Sequence, residues 1–224
     1  MTNKLWEASL KEKKNSNLYA FEKLISKKTK KKFNLNYKTL LNWTVKNSPE
    51  FWNYFWEFSE IKGSKSKKKI KKSKIFHKNL FLPGTKLNFG QNLLSKNTFD
   101  KALTFISENG YREERSWKQL NLNTAKLVQF FKEMKIVKGD RIAAYMPNCN
   151  ETVEAFIASS SIGGIWSSCS PDFGTNGIIE RFSQITPKVL FITDQYFYNG
   201  KKINIIERLS KILKSIPSIK IVII

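Results

Sequence analysis

The chain has 224 residues, 41% of them apolar, and a formal net charge of +22, enough apolar material for a buried core in one large domain or a small domain beside a partial one. Of its 40 basic residues, 35 are lysine and five are arginine (Arg112, Arg115, Arg141, Arg181, Arg208). The planar fork that favours specific phosphate and base recognition is therefore scarce, and a general drift toward Lys, Asn and Ile explains the charge more simply than specific nucleic-acid binding.

Residues 1–35 are lysine-rich, with the run Lys27-Lys28-Thr29-Lys30-Lys31-Lys32, and read as solvated, mobile surface. A second run, KGSKSKKKIKKSK at 62–74, reads as a flexible insertion. The sharper alternative for both is contact with anionic lipid or RNA, although neither run interleaves aromatics for base stacking. Between them lies NSPEFWNYFWEFSEI, with Ser48 as the expected N-cap and Pro49 in the first turn of a helix. Phe51, Phe55 and Phe58 recur at helical spacing beside Trp52 and Trp56, a docking face expected to pack against a larger body.

From residue 96 the pattern becomes regular. Thr98 to Glu108 reads as a helix with Phe99, Leu103 and Ile106 inward. Ser116-Trp117-Lys118-Gln119 is a capping box that opens a helix burying Leu120, Leu127, Phe131 and Met134. KGD at 138–140 turns into the strand RIAAYMP, and Asn148 is the expected cap of a helix carrying Val153, Phe156 and Ile157. GGIWSSCS reads as a strand, Gly177 to Ile185 as a helix, and KVLFITD at 188–194 as a strand buried on both faces. Ile203 to Ile216 is amphipathic, and IKIVII is a last strand.

This alternation predicts an α/β fold, a parallel sheet with flanking helices preceded by a helical N-terminal segment. Ligands in such sheets sit beyond the carboxyl ends of the strands, which places Met146-Pro147-Asn148, Ser170–Gly174 and Asp194–Lys201 toward one rim. Ile221–Ile224 is apolar with no following turn or helix, which reads as a fragment or a truncated reading frame.

Cys149 and Cys169 form no CxxC, and His77 is the only histidine. A Cys/His zinc site is ruled out, and a disulfide scaffold is unlike this pattern. The longest uncharged stretch, Ala155–Pro171, is broken by serines and glycines and is too polar for a bilayer span. No opening run resembles a signal peptide, so the chain reads as soluble and cytoplasmic.

FLPGTKLNFGQNLL (81–94), SWKQL (116–120), KGDRIAAYMPNCNETVEAFIASSSIGGIWSSCSPDFG (138–174) and RFSQITPKVLFITDQYFYNGK (181–201) together resemble the acetoacetyl-CoA synthetase family. These are the acetoacetate–CoA ligases of the adenylate-forming acyl-CoA synthetase superfamily. The resemblance runs from about residue 36 to the end, apart from the lysine insertion. It implies a basic segment at 1–35, the family's N-terminal helical segment at 36–95, and an incomplete AMP-binding domain at 96–224.

The resemblance further implies a ligase of lipid and fatty-acid metabolism that uses ATP, Mg2+ and coenzyme A. Acetoacetate attacks ATP to give acetoacetyl-AMP and pyrophosphate, and the thiol of coenzyme A then displaces AMP. The superfamily's Ser/Thr/Gly-rich phosphate loop, acidic ribose motif and catalytic lysine are absent from these residues, so no catalytic or metal residue is assigned and the 224-residue polypeptide alone is expected to be inactive. In related acetyl-CoA synthetases a short arginine–glycine turn contacts coenzyme A. Tyr198, Asn199, Gly200 and Lys201 stand where that turn would, with Tyr198 departing from its first arginine. Phe173 and Gly174 lie in the stretch resembling the loop beside the coenzyme channel.

Three other readings stand beside this one. A ligase of the same superfamily acting on another short acid would share most of these motifs. An acyltransferase using Cys169 or Ser168 would need a base within reach, and no G-x-S-x-G elbow is present. A basic RNA- or membrane-surface-binding protein would act through the lysine runs.

Overall fold

Serine and asparagine caps set the first helices. The computed structural model describes residues 5–68, 70–71 and 73–224 and divides them into two units, Met1–Leu87 and Asn88–Ile224. In the first, Ser9 and Glu12 form a capping box on α1 (Leu10–Lys14), and the Ser16 side chain accepts the Tyr19 N–H at the start of α2 (Asn17–Thr29). Asn36 caps α3 (Tyr37–Lys46), which leads into α4 (Ser48–Phe58).

The lysine-rich start is not free surface. Phe21 and Ile25, four residues apart, put one apolar stripe of α2 against Phe33, Leu40 and Trp43. The rings of Phe51, Phe55 and Phe58 on α4 close on Phe21 with centroids 5.8, 5.8 and 5.1 Å away. The aromatic stripe thus finds its partner in the chain's own first helices. Lysines on the remaining faces of α2 hide this stripe in the composition. Ser48 lies inside α4 rather than capping it; Asn47 is the cap residue, without a side-chain bond.

The segment 62–74 is anchored rather than freely flexible. Strand β1 (Gly63–Ser64) pairs antiparallel with β2 (Lys86–Leu87), and Lys71 bridges Leu80. Lys69 and Lys72 of this run lie outside the described residues.

The second unit opens with α5 (Phe89–Leu93), which packs closely on a later helix: a Cβ at Gly90 would lie 2.9 Å from the Ile157 carbonyl. Residues 98–108 are not helical. Strands β3 (Lys101–Ile106) and β4 (Arg112–Ser116) form a hairpin, and Phe99 is 80% exposed. Asn109-Gly110, with Gly110 at φ +82°, makes the reversal, a hairpin signal that outweighs a short apolar period.

The Ser116–Gln119 capping box opens α6 (Trp117–Glu133), which buries Leu120 and Phe131, whereas Met134 is the C-cap and is exposed. Strand β5 (Arg141–Tyr145), α7 (Asn150–Ser161), β6 (Ile165–Cys169), α8 (Thr175–Ser183) and β7 (Val189–Ile192) follow in alternation. The N-cap of α7 is Cys149, not Asn148, and has no side-chain bond. Gln195–Tyr198 and Lys201–Asn204 form a second hairpin, β8–β9, and of the amphipathic stretch 203–216 only Leu209–Ser215 is α-helical (α9). Strand β10 (Ile221–Ile223) completes a four-stranded parallel sheet in the order β10-β7-β5-β6.

Both faces of the two central strands are covered. Ala143, Tyr145, Leu190 and Ile192 face α8 and α9 through Ile178, Phe182 and Ile212. Ile142, Ala144, Val189 and Phe191 face α6 and α7 through Phe131, Ala155 and Ala158. Period-two alternation with apolar residues on both sides is what the continuous runs encode. Cys169 ends edge strand β6, half-buried against the first of these clusters.

Phe21 is the hub of the N-terminal core, so Phe21→Ala should destabilise that unit by about 3–5 kcal/mol. Amide exchange across α2–α4 should rise accordingly; unchanged protection would mean that the aromatic cluster does not hold these helices together.

Candidate functional site

The carboxyl ends of β5, β6 and β7 release the chain at one rim of the sheet. Tyr145, the last residue of β5, is fully buried, and its hydroxyl lies 3.0 Å from the Pro171 carbonyl and 2.5 Å from that of Phe173. The Arg208 guanidinium donates to the same hydroxyl, and its Nη1 also reaches the Phe173 and Pro171 carbonyls at 3.2 and 3.4 Å. Burial pushes the Tyr145 phenol above its ordinary value, and the Arg208 charge acts against that shift.

Within the loop after β6, Ser170 Oγ donates to Asp172 Oδ2 at 2.8 Å. Phe173 is partly exposed, with the Arg181 guanidinium 4.4 Å above its ring. Gly174 is the N-cap residue of α8 at φ −64°, and a Cβ there would meet nothing within 4 Å. The loop therefore does not need a glycine at 174 to stay tight; Tyr145 and Arg208 hold it.

Tyr198, Asn199, Gly200 and Lys201 are the turn of the β8–β9 hairpin, all exposed. Asn199 and Gly200 both take positive φ, +50° and +71°, the two-residue turn that Asn-Gly favours. Gly200 is thus required by backbone conformation. Its N–H donates to Glu108 Oε2 at 3.4 Å, joining the tips of the two hairpins. At the hairpin base, the Tyr196 phenol is raised by burial, with the Asp172 carboxylate adding to the shift.

A cleft of about 520 Å3 lies between the β3–β4 hairpin and the rim, lined by Phe105, Glu108, Tyr111, Glu151, Asp194 and Tyr196 among others, and by none of the six sequence-chosen residues. Its outer wall is fastened by Arg115, whose guanidinium reaches Glu113, Glu151 and Glu154 at 2.6, 2.8 and 3.0 Å. The hydrogen bond to Glu113 raises the Arg115 pKa against burial, with Glu154 adding to it. Sequence reading missed Tyr145, Arg208, Tyr196 and Glu108. The only signals available were that Arg208 is one of five arginines and that Tyr145 ends an apolar strand.

The KGDR motif sits at the opposite end of the sheet and braces it. Asp140 accepts the Val137 N–H at 2.9 Å and the Lys188 ammonium at 3.0 Å. Burial alone would raise this carboxyl, but those two bonds outweigh it and the pKa falls. Arg141 donates to the carbonyls of Ile185 and Thr186.

Neither cysteine is prepared as a nucleophile. Burial pushes both thiols up, and the second unit contains no histidine. Among the described residues no group of His, Cys, Asp or Glu could hold a metal ion.

The AMP-binding enzyme family matches residues 96–224, more than half of the chain. The chain belongs to the AMP-binding enzyme family. It is 40% identical over 193 residues to the acetoacetyl-CoA synthetase of Xenopus tropicalis, covering 84% of this chain and 29% of that protein. It is 36% identical over 181 residues to the acetoacetyl-coenzyme A synthetase of Rhizobium meliloti, covering 81% and 28%. The fold matches the acetoacetyl-CoA synthetase structure from Streptomyces lividans with a TM-score of 0.93 at 24% identity, over 99% of this chain and 35% of that one. The chain thus spans under a third of the length of the curated relatives it matches.

Removing the Tyr145 hydroxyl should free the 170–174 loop. Tyr145→Phe is expected to cost about 1–3 kcal/mol, since Arg208 and the Pro171 and Phe173 carbonyls lose a partner, and to speed iodoacetamide labelling of adjacent Cys169 several-fold. Unaltered labelling would show that the hydroxyl does not hold the loop. In the unsubstituted chain, labelling should be slow at neutral pH and rise only above the ordinary thiol value of about 8.5. Since the folded thiol binds its proton more tightly than the unfolded one, its contribution to stability is present below that value and lost as pH rises toward the folded pKa.

Proposed function

We propose that residues 1–224 form part of an acetoacetate–CoA ligase. That enzyme activates acetoacetate with ATP as acetoacetyl-AMP, releasing pyrophosphate, and passes the acyl group to the thiol of coenzyme A. The observation that carries this reading is the 36–40% identity to acetoacetyl-CoA synthetases over more than four-fifths of the chain. Acetoacetate, ATP and coenzyme A are then the small-molecule substrates, with Mg2+ screening the nucleotide phosphates. Two free cysteines suit a reducing, cytoplasmic compartment, and no helix of the described residues is long and apolar enough to cross a membrane.

The residues present fit the coenzyme better than the nucleotide. Lys201 and Lys202 are exposed at the head of β9, beside a turn held by Glu108, where ammonium groups can meet a phosphate without burial. Phe173 offers an accessible ring at the end of β6, suited to pantetheine or adenine. These side chains bind and orient coenzyme A; Tyr145 and Arg208 hold the 170–174 loop and Glu108 holds the hairpin turn. The sequence contains no Ser/Thr/Gly-rich phosphate loop, so no step at ATP is assigned to these residues.

Calorimetric titration tests the coenzyme role. Lys201→Ala should weaken coenzyme A binding about fivefold, the scale of one exposed ion pair, and leave dephospho-coenzyme A unaffected. Equal losses for both ligands would remove Lys201 from the 3′-phosphate, the group that dephospho-coenzyme A lacks. The 224-residue polypeptide with ATP, Mg2+ and acetoacetate should release no pyrophosphate, and release would overturn the division of labour proposed.

A further inference from the structure

The two lysine runs, 27–32 and 62–74, are distant in sequence but converge in the fold. Lys28, at the end of α2, and Lys65, just after β1, reach the two oxygens of the Glu57 carboxylate at 3.6 and 3.7 Å. One acid therefore serves two ammoniums. Around them, Lys27, Lys30, Lys31 and Lys32 of the first run and Lys67 and Lys68 of the second are exposed, without an acid partner among the described residues.

An apolar groove adjoins this charge. Lys65 donates to the Asn53 carbonyl at 3.2 Å and stands 6.0 Å from the centre of the Trp56 ring. Trp56 in turn lines a groove of about 480 Å3 with Trp52, Ile61, Leu80, Phe81 and Leu87. In the segment that leads into Leu80 of the groove, Phe76 is 91% exposed and Ile75 47%. Lysines flanking a patch of exposed aromatic and aliphatic side chains match a bilayer surface, anionic headgroups outside and hydrocarbon beneath.

We propose that the N-terminal unit docks on an anionic phospholipid surface, with the convergent lysines on the headgroups and the Trp52–Phe81 groove at the acyl boundary. Single-stranded nucleic acid fits less well. It calls for aromatic faces interleaved with cations and for polar groups to read base edges. Here the cations stand in runs apart from the rings, and aliphatic side chains fill much of the groove.

The test uses the full 224-residue chain with sedimented vesicles of phosphatidylcholine alone or of equal parts phosphatidylcholine and phosphatidylglycerol. Binding is expected only to the anionic vesicles, weakening with salt and accompanied by a blue shift of tryptophan fluorescence. Replacing Lys30, Lys31 and Lys32 together by Gln should lower the affinity about a hundredfold, given the usual contribution of each lysine near such a surface. Phe76→Ser should lower it about fivefold. Circular dichroism of each variant should match the parent, because the substituted side chains are exposed. Equal binding to both vesicles, no binding, indifference to the lysine substitutions, or displacement from anionic vesicles by poly(U) at physiological salt would each overturn the proposal.

Discussion

A strand covered on both faces can present a polar side chain only where its sheet ends, and β5 does so at Tyr145. Its ring packs among Ile178, Leu190 and Ile192, while its hydroxyl emerges beneath the loop that follows β6. That hydroxyl has one proton, and two carbonyls compete for it. Arg208 resolves the competition by donating to the hydroxyl and to both carbonyls. An arginine, with several donors fixed in one plane, suits this role where a single ammonium would serve fewer partners. The loop after β6 depends on this contact, because Tyr145 and Arg208 between them hold the carbonyls of both Pro171 and Phe173.

The opposite wall is held by electrostatics. Arg115 is mostly buried and faces three carboxylates, of which Glu154 is itself buried and accepts a further bond from Asn123. Taking away one member of such a cluster leaves a desolvated charge, so the cluster fixes the β3–β4 hairpin against α7 whatever its net contribution to stability. The GDR motif, at the far end of the sheet, shows the same division. Asp140 and Arg141 tie backbone groups together and touch no part of the rim.

The parts of the fold that sequence revealed are those with a double-sided apolar period. RIAAY and KVLFI could hardly be anything but central strands, and the Ser116–Gln119 box fixed the start of α6. The helix expected at 98–108 was lost to turn chemistry. Asn109-Gly110 reverses the chain directly after a segment whose apolar spacing also suits a helix, and the segment pairs as a hairpin instead. In the first unit, lysines masked Phe21 and Ile25, whose burial depends on partners on two later helices. Glycine at 200 was legible as a special position, though the reason is its positive φ. The pairing of Tyr145 with Arg208 was not legible, because their meeting across 63 residues is a property of the tertiary structure.

The charge of the chain is large but unevenly placed, and this bears on the proposed coenzyme role. The cleft at the rim carries Glu108, Glu151 and Asp194 and no lysine or arginine in its lining. A phosphate entering it would meet like charge at short range in a partly desolvated setting. The exposed cations of that region stand instead on the hairpin, at Lys201 and Lys202. Under the proposed function, the phosphates of coenzyme A therefore stay outside, on the hairpin, and only a neutral portion of the molecule can approach the cleft. Glu108 serves both ends of this arrangement. Its carboxylate holds the Gly200 N–H that shapes the turn, and its charge keeps anions out of the space behind it.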